Sequence, residues 1–204
     1  MPDPELILVR HGRSSHVQTG WLDVDGVRGW MAAYDAAEIT ADHAPPAELE
    51  ALAREAALVV ASDLPRTVAS AVRLAPEREI MRTPLLREVP LETSDRPLPG
   101  FGGIRLPFRA WGMIWGSRWL GAWLWNAPPP GVGAAELARA EEAAEWLAEQ
   151  ATHARGRVVV VTHATFRVLL AQALARRGWR GPQERSYREW SAWPFVPGAP
   201  PPAP

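Results

Sequence analysis

The sequence predicts a three-layer α/β/α fold with a mostly parallel central sheet. Three apolar runs, at residues 6–9, 57–61 and 158–161, have the length and composition of buried strands. Segments with helical spacing of apolar residues separate and follow these runs, so strands and helices alternate along the chain. Such alternation favours right-handed crossovers, which place the strands parallel and the helices on both faces of the sheet.

Capping and periodicity signals predict where the helices lie. A loop is expected over residues 19–29, where three glycines and two aspartates interrupt any helical period, and a helix is expected to begin at Trp30. Two further helices carry a proline, Pro46 or Pro65, in their first turn. The clearest helix spans 134–153, with its apolar and glutamate positions mostly on opposite sides. A weaker strand is predicted at 79–82, and a last helix follows His163.

An insertion at about residues 93–130 is predicted to form a Trp-rich helical cap. Residues 93–107 are rich in glycine and proline and are expected to be irregular. Within 108–126, indoles recur every four residues and would stack along one side of a helix, at Trp111, Trp115, Trp119 and Trp123. We interpret this segment as a core or cap element, with an oligomer surface as the alternative. Arg118 and interrupting glycines argue against a membrane-associated segment.

Composition indicates one domain over residues 1–193, followed by a Pro-rich tail over 194–204. The 204 residues are 47% hydrophobic, which is ample for a sizeable core. The formal charge of -1 argues against a nucleic-acid-binding surface, and all basic residues are arginines. The absence of cysteine excludes disulfides and thiolate chemistry. The amino terminus is acidic and leads directly into a strand, which is unlike a signal peptide, so a cytoplasmic location is expected.

Charged or titratable side chains follow each of the three apolar runs. Arg10 and His11 end the first, Arg66 lies just beyond the second, and His163 ends the third. Because the carboxyl ends of parallel strands share one edge of a sheet, we expect these four side chains to converge beside two helix amino termini. Arginine forks near helix amino termini bind tetrahedral oxyanions. The predicted ligand is therefore a phosphate ester or anhydride.

These residue types can support phosphoryl transfer. Only a neutral imidazole is a good nucleophile toward phosphorus here, so one of the two histidines could become phosphorylated. Glu88 has apolar neighbours, which favour the raised pKa of a general acid that protonates the leaving alkoxide and later activates water. The arginines and His163 could neutralise the charge that a metal neutralises in other enzymes, so no metal or cofactor is expected.

Three blocks of sequence resemble those of the histidine phosphatase superfamily, in its phosphoglycerate-mutase-like branch. Leu8-Val9-Arg10-His11-Gly12 resembles the Arg-His-Gly signature of that family. Ser62-Asp63-Leu64-Pro65-Arg66-Thr67 resembles its Ser-x-x-x-Arg block, and Val161-Thr162-His163 resembles its distal histidine block. The blocks occur in the family order and span the chain from residue 6 to about residue 175.

The resemblance implies a role for each site residue. His11 is implied to be the phosphorylated nucleophile, and Glu88 the proton donor and acceptor. The residues implied to bind the transferred phosphoryl group are Arg10, Arg66 and His163. Two positions depart from the family pattern: Val17 stands where an asparagine is common, and Ala164-Thr165 replace glycines after the distal histidine. Neither departure removes a catalytic group.

The predicted function is that of a metal-independent phosphatase that hydrolyses a small-molecule phosphomonoester through a phosphohistidine. An apolar cap would favour a substrate with a hydrophobic or aromatic portion. A phosphoglycerate-mutase-type phosphotransferase is the alternative, kept open by Arg96, Arg105, Arg109 and Arg118. A non-catalytic phosphate-binding protein is a third possibility. No nucleic acid or membrane partner is expected, and a homodimer is left open.

The other histidines are interpreted as structural side chains, at His16, His43 and His153. A metal site formed by His11, His16 and His163 is not predicted, because no carboxylate stands at ligand spacing as in a His-Glu-x-x-His helix.

Overall fold

The computed structural model describes residues 3–16, 20–90, 103–114, 117 and 132–198. Its strands are β1 (Glu5–Arg10), β2 (Trp21–Leu22), β3 (Leu58–Ser62), β4 (Ile80–Thr83), β5 (Leu106–Pro107), β6 (Arg157–Thr162), β7 (Trp179–Arg180) and β8 (Ala192–Pro197). Its helices include α1 (Val24–Ala36), α2 (Ala47–Arg54), α3 (Pro65–Leu74), α4 (Ala134–Ala154) and α5 (Ala164–Arg176). Pro84–Leu86 form a 3-10 turn, and residues 108–114 are helical.

Six strands form one mixed sheet in the order β4-β3-β6-β1-β8-β7. β4, β3, β6 and β1 are parallel, whereas β8 runs antiparallel to β1 and β7 antiparallel to β8. α4 and α5 pack on one face of the sheet, and α2 and α3 pack on the other. The predicted α/β class with a mostly parallel central sheet is therefore confirmed.

The central strands are buried on both faces, which explains their unbroken apolar sequences. In β1, Leu6 and Leu8 belong to the core beneath α4 and α5. Ile7 and Val9 point to the other face and join the core beneath α2 and α3. The carboxyl ends of β1 and β6 are level, since Arg10 is paired with Thr162. The polar residues that follow these two strands are therefore held side by side.

α1 begins at Val24, so the prediction of a loop through residue 29 was wrong. Asp23 caps the helix by accepting a hydrogen bond of 2.8 Å from the amide of Gly26. Val27, inside the supposed loop, is fully packed. The cap and this burial offset the cost of two glycines in the helix, each about 1 kcal/mol relative to alanine.

The chain continues as a strand beyond the predicted start of the tail at residue 194. Pro194 pairs with Ile7 and Phe195 with Leu6. Trp193 and Phe195 are buried on the same face and anchor the strand, although prolines occupy two of its six positions. β8 is not at the edge of the sheet, because β7 pairs with its other side.

Part of the segment that was predicted to form a cap lies within the described residues. Trp111 is buried, and its indole N–H donates a hydrogen bond of 2.8 Å to the carbonyl of Leu22. β5 pairs with β2 next to this contact. The other indoles of the four-residue pattern, Trp115, Trp119 and Trp123, lie outside the described residues. Within the described ranges, none of the helices combines the length and the hydropathy needed to cross a membrane.

Candidate active site

The four side chains that follow the apolar runs are placed around the carboxyl ends of β1, β3 and β6. Arg10 is the last residue of β1, Arg66 lies in the first turn of α3, and His163 precedes α5. The imidazole rings of His11 and His163 meet edge to face, with their centroids 5.2 Å apart. His11, Arg66 and His163 are buried, so the two imidazoles and the guanidinium are all in a poorly solvated environment.

The hydrogen bond of His11 defines which ring nitrogen is free. Nδ1 lies 2.7 Å from the carbonyl oxygen of Gly12. A carbonyl can only accept, so Nδ1 carries the proton and Nε2 keeps its lone pair. Burial is the largest influence on this ring and, aided by the charges of Arg66 and Arg10, lowers the pKa of His11 to about 3. The imidazole is therefore neutral at physiological pH, and the lone pair of Nε2 is available.

The backbone after His11 is fixed by contacts from two directions. The Gly12 amide donates to Ser70 Oγ at 2.9 Å, and this hydroxyl donates to the Arg66 carbonyl at 2.6 Å. On the other side the indole of Trp190 lies so close to Gly12 that a Cβ there would be 2.3 Å from the ring. Trp190 in turn donates its indole N–H to Nδ1 of His43 at 3.0 Å.

Arg66 is anchored at one end of its guanidinium and unpaired at the other. Nη1 donates to the Tyr34 carbonyl at 3.0 Å and to the Asp35 carboxylate at 3.1 Å. The guanidinium also lies 4.2 Å from the centre of the Tyr34 ring. Nε and Nη2 are buried and have no hydrogen-bond partner among the described residues. Two donors of a fixed cation are thus available to an anion.

Arg10 and His163 also carry unpaired nitrogens. Arg10 donates through Nη1 to the Tyr187 carbonyl, and its Nη2 lies 3.9 Å from Glu189. His163 Nε2 is 3.1 Å from Ser62 Oγ. Nε of Arg10 and Nδ1 of His163 are buried without a partner in the part of the chain that the structure describes. Burial, with His11 and Arg66 nearby, holds the pKa of His163 well below its ordinary value, so this ring is neutral too.

Glu88 is hydrogen-bonded to the first turn of α5. Its carboxylate accepts from the amides of Phe166 at 2.9 Å, Val89 at 3.0 Å and Thr165 at 3.4 Å. Burial raises the pKa of Glu88, and these amide hydrogen bonds oppose the rise. The amides of Thr165 and Phe166 at this helix terminus are therefore occupied by Glu88.

A cavity of about 400 Å³ opens beside His11. The described residues that line it are Arg10, His11, Arg13, Ser14, Ser15, His16, Tyr34, Thr40 and Glu189. Glu88, Arg66 and His163 are not among them. His16, interpreted from the sequence as structural, lies in this wall with its ring centroid 5.0 Å from that of Trp30. Trp30 stacks on Tyr34 at 5.1 Å, so an aromatic layer supports one side of the cavity.

Several residues at this site were missed in the sequence. Tyr34 and Asp35 hold Arg66. Glu189 and Tyr187 contact Arg10, and the buried Arg167 donates to the Ser186 carbonyl. These residues lie on α1, on α5 and in the segment before β8, far along the chain from the residues that they contact. Among the residues around the cavity that were not predicted, only His16 could have been suggested by the sequence, because it stands five positions after His11. The described ranges contain no group of three His, Cys, Asp or Glu side chains arranged to hold a metal ion.

No protein-family model and no curated protein sequence matches this chain. Among solved structures it is similar to the ecdysone phosphate phosphatase of Bombix mori in complex with tungstate, at 14% identity over 98% of this chain and 95% of the other, with a TM-score of 0.49. It is similar to the phosphoserine phosphatase of Entamoeba histolytica in complex with 3-phosphoglyceric acid, at 17% identity, 84% and 80% coverage and a TM-score of 0.44.

A third similar structure is a putative alpha-ribazole-5'-P phosphatase from Escherichia coli, at 18% identity, 85% and 79% coverage and a TM-score of 0.43. At such low identities, a likeness of this kind concerns the chain fold and does not assign a reaction. The chemistry of this chain is therefore argued from its own residues.

Proposed function

We propose that this protein is a phosphatase that hydrolyses a small-molecule phosphomonoester through a phosphohistidine at Nε2 of His11. The observation that carries the proposal is the 2.7 Å contact between His11 Nδ1 and the Gly12 carbonyl, from which the tautomer with a free Nε2 follows. The free Nε2 belongs to a neutral ring that lines a cavity, and Arg10 and Arg66, whose charges act on this ring, keep unpaired N–H groups. We infer that Nε2 is the nucleophile and that the unpaired N–H groups of the arginines bind the phosphoryl group it attacks.

In the first step, Nε2 of His11 attacks phosphorus and the P–O bond to the alcohol breaks. The electron pair of that bond goes to the leaving oxygen, which takes the proton of Glu88. The unpaired donors of Arg10 and Arg66 bind the non-bridging oxygens and neutralise their charge. The raised pKa of Glu88 favours the protonated form that this step needs.

In the second step, water attacks the phosphohistidine. Glu88, now ionised, accepts a proton from the water, the P–N bond breaks, and its electron pair returns to Nε2. Inorganic phosphate leaves, and the enzyme regains its starting protonation state. The two arginines and His163 provide the positive charge and hydrogen bonds, so we propose that the reaction needs neither a metal nor a cofactor.

The cavity supports a small substrate. Its volume of about 400 Å³ accommodates a phosphate group with a modest organic portion. Ser14, Ser15 and Thr40 line this space together with Tyr34. An organic portion with an apolar surface fits the side formed by Tyr34, which is backed by Trp30.

The arginines that kept a mutase open do not form a second anion site among the described residues. Arg105 donates to the Trp21 carbonyl at 2.8 Å, and neither Arg105 nor Arg109 is among the described residues that line the cavity. Arg96 and Arg118 lie outside the described residues. Hydrolysis is therefore the function that we propose.

A panel of phosphate esters assayed in the presence of a chelator tests this function. The wild type is expected to turn over at least one alkyl or aryl ester, and His11→Ala to lose about a thousandfold or more of that activity. His153→Ala, which removes an exposed histidine at the end of α4, is the matched control and should keep full activity. Acid-labile, alkali-stable phosphate should be trapped on His11. Activity that survives His11→Ala or disappears with the chelator would contradict the mechanism.

A further inference from the structure

Arg167 is a buried cation with no described role in the chemical steps. It lies at the end of the first turn of α5, and its side chain is fully shielded from solvent. Its guanidinium carbon stacks 3.7 Å from the centre of the Trp193 ring. It has no carboxylate within ion-pair distance among the described residues. Burying a charge without an ionic partner costs free energy of desolvation, and the hydrogen bonds of Arg167 must offset this cost.

These hydrogen bonds join the two ends of one loop. Nη1 of Arg167 donates to the Ser191 carbonyl at 2.6 Å, and Nη2 donates to the Ser186 carbonyl at 3.0 Å and to Ser191 Oγ at 3.0 Å. Nη1 also lies 3.5 Å from the carbonyl of Leu8 in β1. The planar fork of Arg167 therefore fastens residues 186 and 191 to each other and to the central strand.

The 186–191 loop is also what orients Arg10. In the described ranges, the partners of the Arg10 guanidinium are the Tyr187 carbonyl and the Glu189 carboxylate, both in this loop. The Trp190 amide donates to the Arg10 carbonyl at 3.1 Å, and the Trp190 indole covers Gly12. A long arginine side chain loses considerable rotamer freedom when it is held in one orientation, so its aim depends on a rigid support.

We propose that Arg167 is a positioning residue, which closes the 186–191 loop and thereby aims the Arg10 guanidinium at the anion bound beside His11. This inference rests on the proposed function, in which that anion is the phosphoryl group. Nη1 and Nη2 of Arg167 are occupied by the oxygens of Ser186 and Ser191, so we infer that it acts through Arg10 and not on the anion itself. Burial and the charge of Arg10 lower the pKa of Arg167 to about 9, so it remains a cation at neutral pH.

Binding of inorganic phosphate, measured by calorimetry, tests this role without relying on turnover. Arg167→Met should weaken phosphate binding about tenfold, which corresponds to the loss of one well-aligned charged contact. Arg167→Lys should be intermediate, because an ammonium group lacks the planar fork. In an Arg10→Ala background the additional effect of Arg167→Met should disappear, since the residue acts through Arg10.

Arg78→Met is the matched control. Arg78 also donates to backbone carbonyls, those of Ala56 and Ala57, but it lies outside the cavity wall. Its replacement should leave phosphate affinity unchanged. If Arg167→Met does not fold, Arg167→Lys and Ser191→Ala weaken the same hydrogen bonds and take its place in the double-variant comparison.

The outcomes separate this inference from the proposed function. Phosphate affinity within twofold of wild type in the folded Arg167 variants overturns the positioning role. An equal loss of phosphate affinity when Arg167→Met is added to Arg10→Ala also overturns it, because Arg167 then acts on the fold in general and not through Arg10. A wild type that binds phosphate with the expected Arg10 coupling but hydrolyses no ester overturns the proposed function alone. A wild type that binds no phosphate overturns both.

Discussion

The proposed function gives Glu88 two roles with opposite demands on the protonation of its carboxyl group. As a cap of α5 it accepts hydrogen bonds from the amides of Thr165 and Phe166, and these favour the ionised carboxylate. As a general acid it must carry a proton when the alcohol leaves. Burial raises the pKa of Glu88, and the amides oppose this rise without cancelling it. A raised pKa suits a carboxyl group that gives a proton in one step and takes one in the next.

Glu88→Gln should separate these two roles, because an amide oxygen can still cap the helix but cannot transfer a proton. For alkyl phosphates, whose leaving group needs that proton, kcat/KM should fall by about 10²- to 10⁴-fold. For 4-nitrophenyl phosphate the first step should be nearly unaffected, and phosphorylated enzyme should accumulate because water is no longer activated. Rapid-quench measurements of the nitrophenolate burst check this expectation.

Glu149→Gln, at an exposed position of α4, is the control and should behave as the wild type. An equal loss with both classes of ester, without a burst, would remove Glu88 from its proposed role. His16 would then be the next residue to test, since it lines the cavity and carries a ring nitrogen buried without a partner among the described residues.

At the scale of elements, the site depends on how closely the end of β1 packs against the 186–191 loop. An alanine Cβ at position 12 would lie 2.3 Å from the Trp190 ring, which is itself buried and hydrogen-bonded to His43. Gly12→Ala should therefore lower the free energy of unfolding by about 1–3 kcal/mol, as overpacking does elsewhere. Urea denaturation at neutral pH measures this change.

Gly29→Ala provides the comparison for Gly12→Ala. Gly29 lies within α1, and a Cβ there meets nothing within 4 Å. Alanine at this position should raise the free energy of unfolding by about 0.5–1 kcal/mol, because it reduces the entropy that the chain loses in forming the helix. If Gly12→Ala proved as stable as the wild type, the packing of Trp190 on the loop after β1 would not be as tight as the structure indicates.

Elements whose signals are local could be predicted from the sequence. β1, β3 and β6 are continuous apolar runs, and α4 has the helical period of a surface helix, so neighbouring residues suffice to identify them. The start of α1 was predicted too late, because helix propensity alone does not account for the first turns of this helix. The cap from Asp23 and the burial of Val27 depend on the folded structure and offset the glycines.

The candidate site divides in the same way. His11, Arg66 and His163 could be singled out because strand ends of a parallel sheet meet at one edge, whatever the rest of the chain does. Arg167 could not, because its partners at residues 186 and 191 are about 20 positions away in an irregular segment. The role of Tyr34 likewise depends on the packing of α1 against Arg66, for which no sequence spacing is diagnostic.

At the scale of the whole molecule, forming this site requires the fold to bury two imidazoles in their neutral form. Burial lowers the pKa of His11 to about 3 and that of His163 well below its ordinary value. In the unfolded chain both rings are solvated and have pKa values near 6.5. Below pH 6.5 the unfolded state therefore binds protons that the folded state does not, and acidification favours unfolding.

The free energy of unfolding should consequently fall as the pH is lowered from 6.5 toward 4, by up to about 1.4 kcal/mol per pH unit for each of the two rings. Glu88 acts in the opposite sense, because a raised pKa means that the folded state holds its proton more tightly, but this contribution is shared by all variants.

Urea denaturation of the wild type and His11→Asn in phosphate-free buffers isolates the contribution of His11. The variant should show a shallower dependence on pH, whereas His153→Asn, at an exposed site, should match the wild type. Identical slopes in the wild type and His11→Asn would mean that His11 takes up its proton in the folded protein, and an imidazolium could not serve as the nucleophile.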